Sequence, residues 1–238
     1  MAVYGLIGYP LAHSFSGKYF NERFKAGSLP HSFENFPIKE ISELPSIIKK
    51  GVAGLAVTIP HKEAVLPYLD ELDPVAEAIG AVNCITINNG ISRGHNTDAA
   101  GFEKSLPVLK KNVKALVLGS GGASKAVCYV LERKQIPYSI VSRQSSKGKN
   151  YASLTAEDIR EHLLIINTTP LGMYPGVSSK PSIPYHALTP EHFLYDLVYN
   201  PEETAFLKEG IERGAQIKNG LEMLYNQAEE NWRLWFNQ

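Results

Sequence analysis

The stretch Val113-Lys114-Ala115-Leu116-Val117-Leu118-Gly119-Ser120-Gly121-Gly122-Ala123-Ser124 decides the fold of this 238-residue chain. The residues up to Leu118 are mostly apolar, as is typical of a buried parallel strand. A glycine-rich turn follows directly, and apolar residues then recur on one helical face: Ala126, Val127, Val130 and Leu131. A strand, a glycine turn and a helix in this order place backbone amides where they can hold a pyrophosphate. We therefore predict a Rossmann-type dinucleotide-binding unit, with a plain tight turn as the alternative.

The end of the next predicted strand, Tyr138 to Ser142, indicates which dinucleotide this unit binds. In NAD-binding folds an acidic residue at this place hydrogen-bonds the ribose 2′-hydroxyl. Here the chain reads Ser142-Arg143-Gln144-Ser145-Ser146-Lys147, without an acid. Arg143 can form bidentate bonds to a phosphate, and Lys147 adds a second positive charge. The residues favour NADP over NAD, the alternative being a solvated basic loop.

Strand-like and helix-like segments alternate on both sides of this unit, which predicts a largely parallel α/β architecture. A hairpin is predicted around Asn88-Asn89-Gly90, because Asn-Gly adopts the positive φ angles of a tight turn. We predict a helical turn over residues 62–72 and a loop over residues 144–153. The C-terminal segment places apolar residues on one helical face that must pack against a substantial surface: Leu221, Leu224, Tyr225, Ala228, Trp232 and Trp235.

Composition excludes several classes of protein. The 24 Lys and Arg residues balance 24 Asp and Glu residues, so the chain lacks the basic excess of nucleic-acid-binding and membrane-surface proteins. Its two cysteines, Cys84 and Cys128, form neither a C-x-x-C motif nor a Cys/His cluster, so we predict no structural metal and no disulfide framework. Without an apolar stretch of roughly 20 residues or a signal peptide, the chain is predicted to be cytoplasmic.

Short polar clusters follow the predicted strands of the N-terminal half. Ser14 and Ser16 follow the first strand, and Lys62 follows the third. Asn83 and Asp98 lie in two further clusters. A lysine and an aspartate from separate strands can move a proton to or from an alcohol oxygen while a nicotinamide takes the hydride. The alternatives are helix capping for the serines, a solvated surface lysine, and turn formation by the Asn and Asp residues.

Short motifs follow one another along nearly the whole chain: Gly8–Ser16, Val57–Lys62, Gly80–Asn83, Gly94–Asp98, Gly119–Ser124, Ile166–Met173, Asp196–Pro201 and Asn219–Leu224. In this order they resemble the shikimate dehydrogenase family. The resemblance implies an oxidoreductase that interconverts 3-dehydroshikimate and shikimate with NADPH, in the shikimate pathway of aromatic amino-acid and chorismate biosynthesis.

The resemblance also implies roles for individual residues around the substrate. Ser14 and Ser16 would hold its carboxylate. Lys62 and Asp98 would form the catalytic pair, and Tyr199 would lie beside the substrate. The positions that hydrogen-bond the ring hydroxyls would be Thr58, Lys62, Asn83, Asp98 and Gln227.

For the cofactor, the resemblance implies a pyrophosphate turn made of Gly119, Gly121, Gly122 and Ala123. Arg143 would contact the 2′-phosphate, with Lys147 as a second charge. Ser142 stands in this cofactor-binding run where the family often has Asn. Thr168, Met173 and Gly220 would line the path towards the nicotinamide.

The family fold implies a substrate-binding catalytic domain over residues 1–98 and an NADP-binding Rossmann-like domain over residues 99–219. The C-terminal helix, residues 220–238, would return to pack on the first domain. We expect a small-molecule substrate, no nucleic-acid or membrane partner, and a monomer or homodimer. Three alternatives stay open: a quinate/shikimate dehydrogenase using NAD, a methylenetetrahydrofolate dehydrogenase, and a non-catalytic dinucleotide-binding protein.

Overall fold

A computed structural model describes residues 1–11, 14–143 and 148–236 of the chain. The predicted cofactor residue Lys147 lies outside the described residues. The chain divides into two compact units, one formed by Met1–Thr97 with Gln227–Gln238 and the other by Asp98–Asn226. Each unit contains, within its described residues, one six-stranded sheet with helices. The predicted α/β class is confirmed.

The strands of the first unit are β1 Val3–Gly8, β2 Ser32–Pro37, β3 Val52–Val57, β4 Glu71–Leu72, β5 Cys84–Asn88 and β6 Ile91–His95. Those of the second are β7 Ala115–Leu118, β8 Tyr138–Ser142, β9 Lys149–Asn150, β10 Leu164–Asn167, β11 Phe193–Asp196 and β12 Gln216–Lys218. The α-helices are α1 Phe15–Ala26, α2 Leu44–Ile48, α3 Pro74–Ile79, α4 Thr97–Ser105, α5 Gly122–Arg133, α6 Ala156–Glu161, α7 Ala205–Ile211 and α8 Leu221–Phe236.

The first sheet has the strand order β2-β1-β3-β5-β6-β4 and mixes parallel with antiparallel pairs. β1 pairs in parallel with both β2 and β3, whereas β5 runs antiparallel to β3 and β6. The predicted hairpin joins β5 to β6, with Asn89 and Gly90 at φ angles of 52° and 81°. The hairpin brings the end of β6, and with it the start of α4, back beside the start of β5.

Two local expectations and one alternative are wrong. Residues 62–72 form no continuous helical turn: a 3-10 helix spans Leu66–Tyr68 and strand β4 follows, because its residues pair in parallel with β6. The segment predicted as a loop over 144–153 contains β9, which extends the second sheet beside β8. Ser16 does not cap α1, since the helix begins at Phe15 and Ser14 is its N-cap residue.

The C-terminal part of α8 packs on the first sheet. The Trp235 ring lies 5.2 Å from the Tyr4 ring and 5.0 Å from the Phe20 ring, measured between centroids. Its indole N–H donates to the Ile85 carbonyl at 3.1 Å. A Cβ at Gly54 in β3 would lie 2.4 Å from the indole nitrogen, so this strand position has room only for glycine.

No helix among the described residues is both long and apolar enough to cross a membrane.

The second sheet has the order β12-β11-β10-β7-β8-β9, and its neighbouring strands pair in parallel. β7 has β8 on one side and β10 on the other, so the chain changes direction across the sheet next to β7. In open α/β sheets, ligands bind at the carboxyl ends of the strands where the order reverses. The glycine turn of residues 119–122 lies at the carboxyl end of β7.

Candidate active site

The turn between β7 and α5 has the geometry of a phosphate-binding loop. Gly119 has a φ of +119°, and a Cβ there would lie 2.5 Å from the Thr168 hydroxyl oxygen, so this position requires glycine. Gly121 is the N-cap of α5 and has no side chain to cover the first helical amides. No described atom lies within 4 Å of a Cβ placed at Gly121. The amides of Gly122 and Ala123 therefore begin a helix whose positive end an anion can approach.

Thr168 and Gly220 hold neighbouring loops of the second unit in place. The Thr168 hydroxyl donates to the Leu118 carbonyl at 2.8 Å, which joins the ends of β10 and β7. A Cβ at Gly220 would lie 2.0 Å from the carbonyl oxygen of Leu197, and the Gly220 amide donates to Val198 at 3.1 Å. Met173 is exposed, with 44% of its surface accessible.

Ser142 and Arg143 lie at the carboxyl end of β8, the strand next to β7. Ser142 is buried and Arg143 is exposed. Asn150 in β9 is paired with Ser142, and its amide group donates to the Arg143 carbonyl at 3.5 Å. Arg143 thus lies at the carboxyl ends of the strands of the second sheet, as does the glycine turn.

A buried carboxylate, Asp196, organises the loop that carries Tyr199. It accepts hydrogen bonds from the Thr204 hydroxyl at 2.5 Å, the Asn167 amide at 2.9 Å and the Val198 backbone at 3.0 Å. Burial raises the pKa of Asp196 to about 6, although these hydrogen bonds act to lower it. Tyr199 follows Val198 directly, and burial raises its pKa as well.

The raised pKa of Asp196 predicts how stability changes with pH. Its folded value of about 6 exceeds the roughly 3.9 of an unfolded aspartate, so the folded protein holds this proton more tightly. The resulting stabilisation is complete below the unfolded pKa and is lost as pH rises through about 6. Relative to Asp196→Asn, the wild-type free energy of unfolding should fall by about 2–3 kcal/mol between about pH 4 and pH 7. Urea unfolding at each pH measures this difference. If the free energies of unfolding of the two proteins changed in parallel with pH, the raised pKa of Asp196 would be excluded.

In the first unit, the Ser14 hydroxyl oxygen is buried. This oxygen has no hydrogen-bond partner among the described residues. Leaving a buried hydroxyl unpaired costs about 1–3 kcal/mol, which a bound carboxylate would offset by accepting its proton. Ser16, half-buried, follows in the first turn of α1.

Backbone hydrogen bonds bring three more predicted residues together in the first unit. The Thr58 amide donates to Ile7 at 3.0 Å, at the end of β1. The Val57 amide donates to the Asn83 carbonyl at 2.8 Å, and the Val82 amide donates to the Lys62 carbonyl at 2.8 Å. Lys62, which is half-buried, is therefore anchored through its backbone next to Asn83.

An amide and hydroxyl network joins Asn83 to Gln227, 144 positions away in the sequence. The Asn83 side-chain oxygen accepts the Thr97 backbone N–H at 2.6 Å. Its nitrogen donates to the Thr97 hydroxyl at 2.9 Å and to the Gln227 oxygen at 3.4 Å. Asn231 completes the network through the same hydroxyl, at 2.6 Å. Sequence reasoning missed the roles of Thr97 and Asn231. Thr97 lies within the Gly94–Asp98 motif, and the signal for Asn231 was a polar residue four positions after Gln227.

The predicted catalytic carboxylate, Asp98, is buried in the first turn of α4, and Thr97 is the first residue of that helix. The predicted site residues thus fall into two sets. The first unit holds Ser14, Ser16, Thr58, Lys62, Asn83 and Gln227. The second unit holds Asp98, Gly119, Gly121, Gly122, Ala123, Ser142, Arg143, Thr168, Met173, Tyr199 and Gly220. The second unit begins at Asp98 and the first resumes at Gln227, whereas the sequence prediction divided the chain after Asp98 and at residue 220.

Comparison with known proteins assigns the family. Residues 6–85 match the family model described as the shikimate dehydrogenase substrate binding domain. A relative from Caldanaerobacter subterraneus subsp. tengcongensis, named shikimate dehydrogenase (NADP(+)), is 39% identical over 98% of this chain and 91% of its own length. The chain belongs to the shikimate dehydrogenase family.

Solved structures within this fold include a family member and a quinate enzyme. The shikimate 5-dehydrogenase of Thermus thermophilus, in complex with NADP(H) and shikimate, is 31% identical with a TM-score of 0.88, covering 100% of this chain and 94% of its own. Quinate dehydrogenase from Corynebacterium glutamicum, in complex with NAD, is 26% identical with a TM-score of 0.87 at the same coverage. The family predicted from the ordered motifs is confirmed.

Proposed function

We propose that this protein is an NADP-dependent shikimate dehydrogenase, which reversibly reduces 3-dehydroshikimate to shikimate. The observation that carries the proposal is the network that joins Asn83 to Gln227 next to the backbone-anchored Lys62. Paired carboxamides offer both donors and acceptors, as recognition of neighbouring hydroxyl groups on a ring requires. The full-length similarity to curated NADP(+)-dependent relatives supports the same assignment.

Substrate binding is assigned to side chains of the first unit. The hydroxyls of Ser14 and Ser16 would donate to the substrate carboxylate. The buried Ser14 oxygen, which has no hydrogen-bond partner in the described part of the chain, supports this role. Thr58, Asn83 and Gln227 would hydrogen-bond the ring hydroxyls. Neutral donors suit this ligand because they bind the carboxylate and the hydroxyls without burying an additional charge.

Proton transfer is assigned to Lys62 and Asp98. NADPH, when bound, supplies the hydride to the C3 carbonyl carbon. Lys62 would donate a proton to the carbonyl oxygen, so that one hydride and one proton convert the ketone to the alcohol. Asp98 would accept a hydrogen bond from the same hydroxyl and keep the lysine ammonium aligned with it. In the reverse direction Lys62 takes the proton back.

Cofactor binding is assigned to the second unit. The amides that follow Gly121 would bind the pyrophosphate, and the open space at Gly121 supports this fit. Arg143 would bind the 2′-phosphate from the exposed end of β8. Thr168, Met173 and Gly220 would line the path to the nicotinamide, with Tyr199 beside the substrate.

Arg143→Ala is expected to raise the KM for NADP by about 10–100-fold, because a charge-assisted hydrogen bond to phosphate contributes about 1.5–3 kcal/mol. The KM for NAD should stay within about twofold, since NAD has no 2′-phosphate for the guanidinium to bind. Steady-state kinetics with both cofactors measures the change. Arg160→Ala is a matched control, because Arg160 is an exposed arginine of the same unit that pairs with Glu157. An unchanged ratio of NADP to NAD efficiency in Arg143→Ala would refute the phosphate role.

Substrate and cofactor preference are tested by four parallel assays, in which shikimate and quinate are each supplied with NADP and with NAD. The proposed function predicts the highest kcat/KM for shikimate with NADP. Preference for quinate with NAD would instead assign the activity named for the Corynebacterium glutamicum neighbour.

We further propose a cytoplasmic enzyme that is a monomer or homodimer. Its two buried, free cysteines are in keeping with a reducing compartment.

A further inference from the structure

Asn231 is a buried polar residue on a helix face that also packs apolar side chains. Only 1% of its surface is exposed, and it lies in α8 one turn after Gln227 and one turn before Trp235. Burying a carboxamide costs free energy unless its donors and acceptors are satisfied. Neighbouring positions of the same face, Ala228 and Trp235, fill the core with apolar groups. Packing therefore gives no reason for an asparagine here.

The side-chain oxygen of Asn231 accepts a hydrogen bond from Thr97, and its nitrogen donates one to Gln227. The Thr97 hydroxyl has a single hydrogen, and its shortest acceptor is the Asn231 side-chain oxygen, at 2.6 Å. The lone pairs of the Thr97 oxygen are then left to accept from the Asn83 amide group, at 2.9 Å. On its other side, the Asn231 nitrogen donates to the Gln227 oxygen at 3.4 Å.

These donors and acceptors act on the orientation of the Gln227 amide. Because Asn231 directs its nitrogen at Gln227, the Gln227 side-chain oxygen turns towards Asn231 and its NH2 group points the opposite way. Because Thr97 donates to Asn231, it accepts from the Asn83 nitrogen, while the Thr97 backbone N–H holds the Asn83 oxygen at 2.6 Å. Without Asn231 the Gln227 oxygen would lose this donor and keep the Asn83 nitrogen at 3.4 Å, so the Gln227 amide could rotate by half a turn more readily. The Asn83 amide is held by the Thr97 backbone whether or not Asn231 is present.

We propose that Asn231 is a positioning residue for substrate recognition: together with Asn83 it sets which end of the Gln227 amide meets the ring hydroxyls. The inference rests on the proposed function, in which these amides bind the substrate. A site built to hydrogen-bond hydroxyl groups discriminates strongly against analogues that lack them. Asn231 would therefore contribute to specificity without touching the substrate.

Asn231→Asp is the sharpest variant, because aspartate keeps the shape and still accepts from Thr97 but presents oxygen to the Gln227 oxygen. The repulsion should turn the Gln227 amide around. The KM for shikimate is expected to rise about 10-fold, because the variant loses one or two hydrogen bonds to the substrate. The kcat and the KM for NADP should stay within about threefold, since hydride and proton transfer use other groups.

Two substrate analogues distinguish the positioning role of Asn231 from a merely structural one. Each analogue lacks one of the shikimate hydroxyls that do not react. In the wild-type protein, removing a hydroxyl that binds these amides should weaken binding strongly. In Asn231→Asp, the same removal should cost about 10-fold less for at least one analogue, because the variant has already lost that contact. Binding of shikimate and of each analogue is measured by quenching of tryptophan fluorescence.

Asn112→Asp is the matched control, since it makes the same chemical change at an exposed residue of the second unit. Asn231→Ala, which adds no charge, is the second variant, used if Asn231→Asp does not melt cooperatively. Equal weakening of shikimate and both analogues, or unchanged shikimate binding in both variants, would overturn the role of Asn231. Failure of the wild-type protein to reduce NADP with shikimate would instead overturn the proposed function, and the inference with it.

Discussion

Lys62→Ala is expected to lower kcat for shikimate oxidation by about 10²–10⁴-fold, the usual contribution of a positioned general acid or base. The KM for shikimate should change by less than about tenfold, because the proton transfer is made in the transition state. Lys62 is half-buried, and its carbonyl accepts from the Val82 amide. Truncating the side chain leaves that backbone contact intact, so the fold should persist.

Lys18→Ala provides the control for Lys62→Ala. Lys18 is an exposed lysine of the same unit that pairs with Glu22 across one turn of α1. Exposed pairs of this kind contribute only about 0.3–0.5 kcal/mol, so kcat should stay at the wild-type value. Steady-state kinetics with saturating NADP measures both variants, with thermal unfolding to verify their fold. Near-normal kcat in Lys62→Ala would remove Lys62 from the catalytic pair.

Gly220→Ala is expected to destabilise the second unit by about 2–3 kcal/mol, at the upper end of what overpacking usually costs. The added Cβ would lie 2.0 Å from the Leu197 carbonyl oxygen and 2.6 Å from its carbon. Both atoms belong to the backbone, so the clash is relieved only if the loop that leads to Tyr199 moves. We therefore expect a lower free energy of unfolding in urea together with a lower kcat.

Gly121→Ala separates the two kinds of glycine in this unit. No described atom lies within 4 Å of a Cβ at Gly121, and its φ of −90° suits any residue. Its stability should stay within about 0.5 kcal/mol of wild type. The KM for NADP should nevertheless rise, because the methyl group would fill the space that the pyrophosphate needs. Equal stability of Gly220→Ala and Gly121→Ala would contradict this account of Gly220.

The parts of the fold that sequence predicts well are those that local pattern determines. The strand before Gly119, the turn and helix α5 combine apolar periodicity with a backbone position that requires glycine. The hairpin at Asn89-Gly90 follows from positive φ angles. By contrast, β4 and β9 are two-residue strands that exist because a neighbouring strand offers hydrogen bonds. No periodicity can reveal strands of that length.

The candidate site divides in the same way. Lys62, Asn83 and Asp98 could be found because each belongs to a recognisable motif close to a strand end. Asn231 could not, because its significance depends on the Thr97 hydroxyl, which lies 134 positions earlier in the chain. The acceptor role of Asp196 likewise emerges only when β10, β11 and the start of α7 are assembled. Networks of this kind are properties of tertiary structure.

The most direct test of the account is the time course of NADPH absorbance after shikimate is added to the wild-type protein with NADP. The proposed function predicts a steady increase that requires both compounds and that Lys62→Ala reduces by about 10²–10⁴-fold. A flat trace from folded wild-type protein would contradict the proposed activity. An equal rate in Lys62→Ala would contradict the proposed role of the lysine.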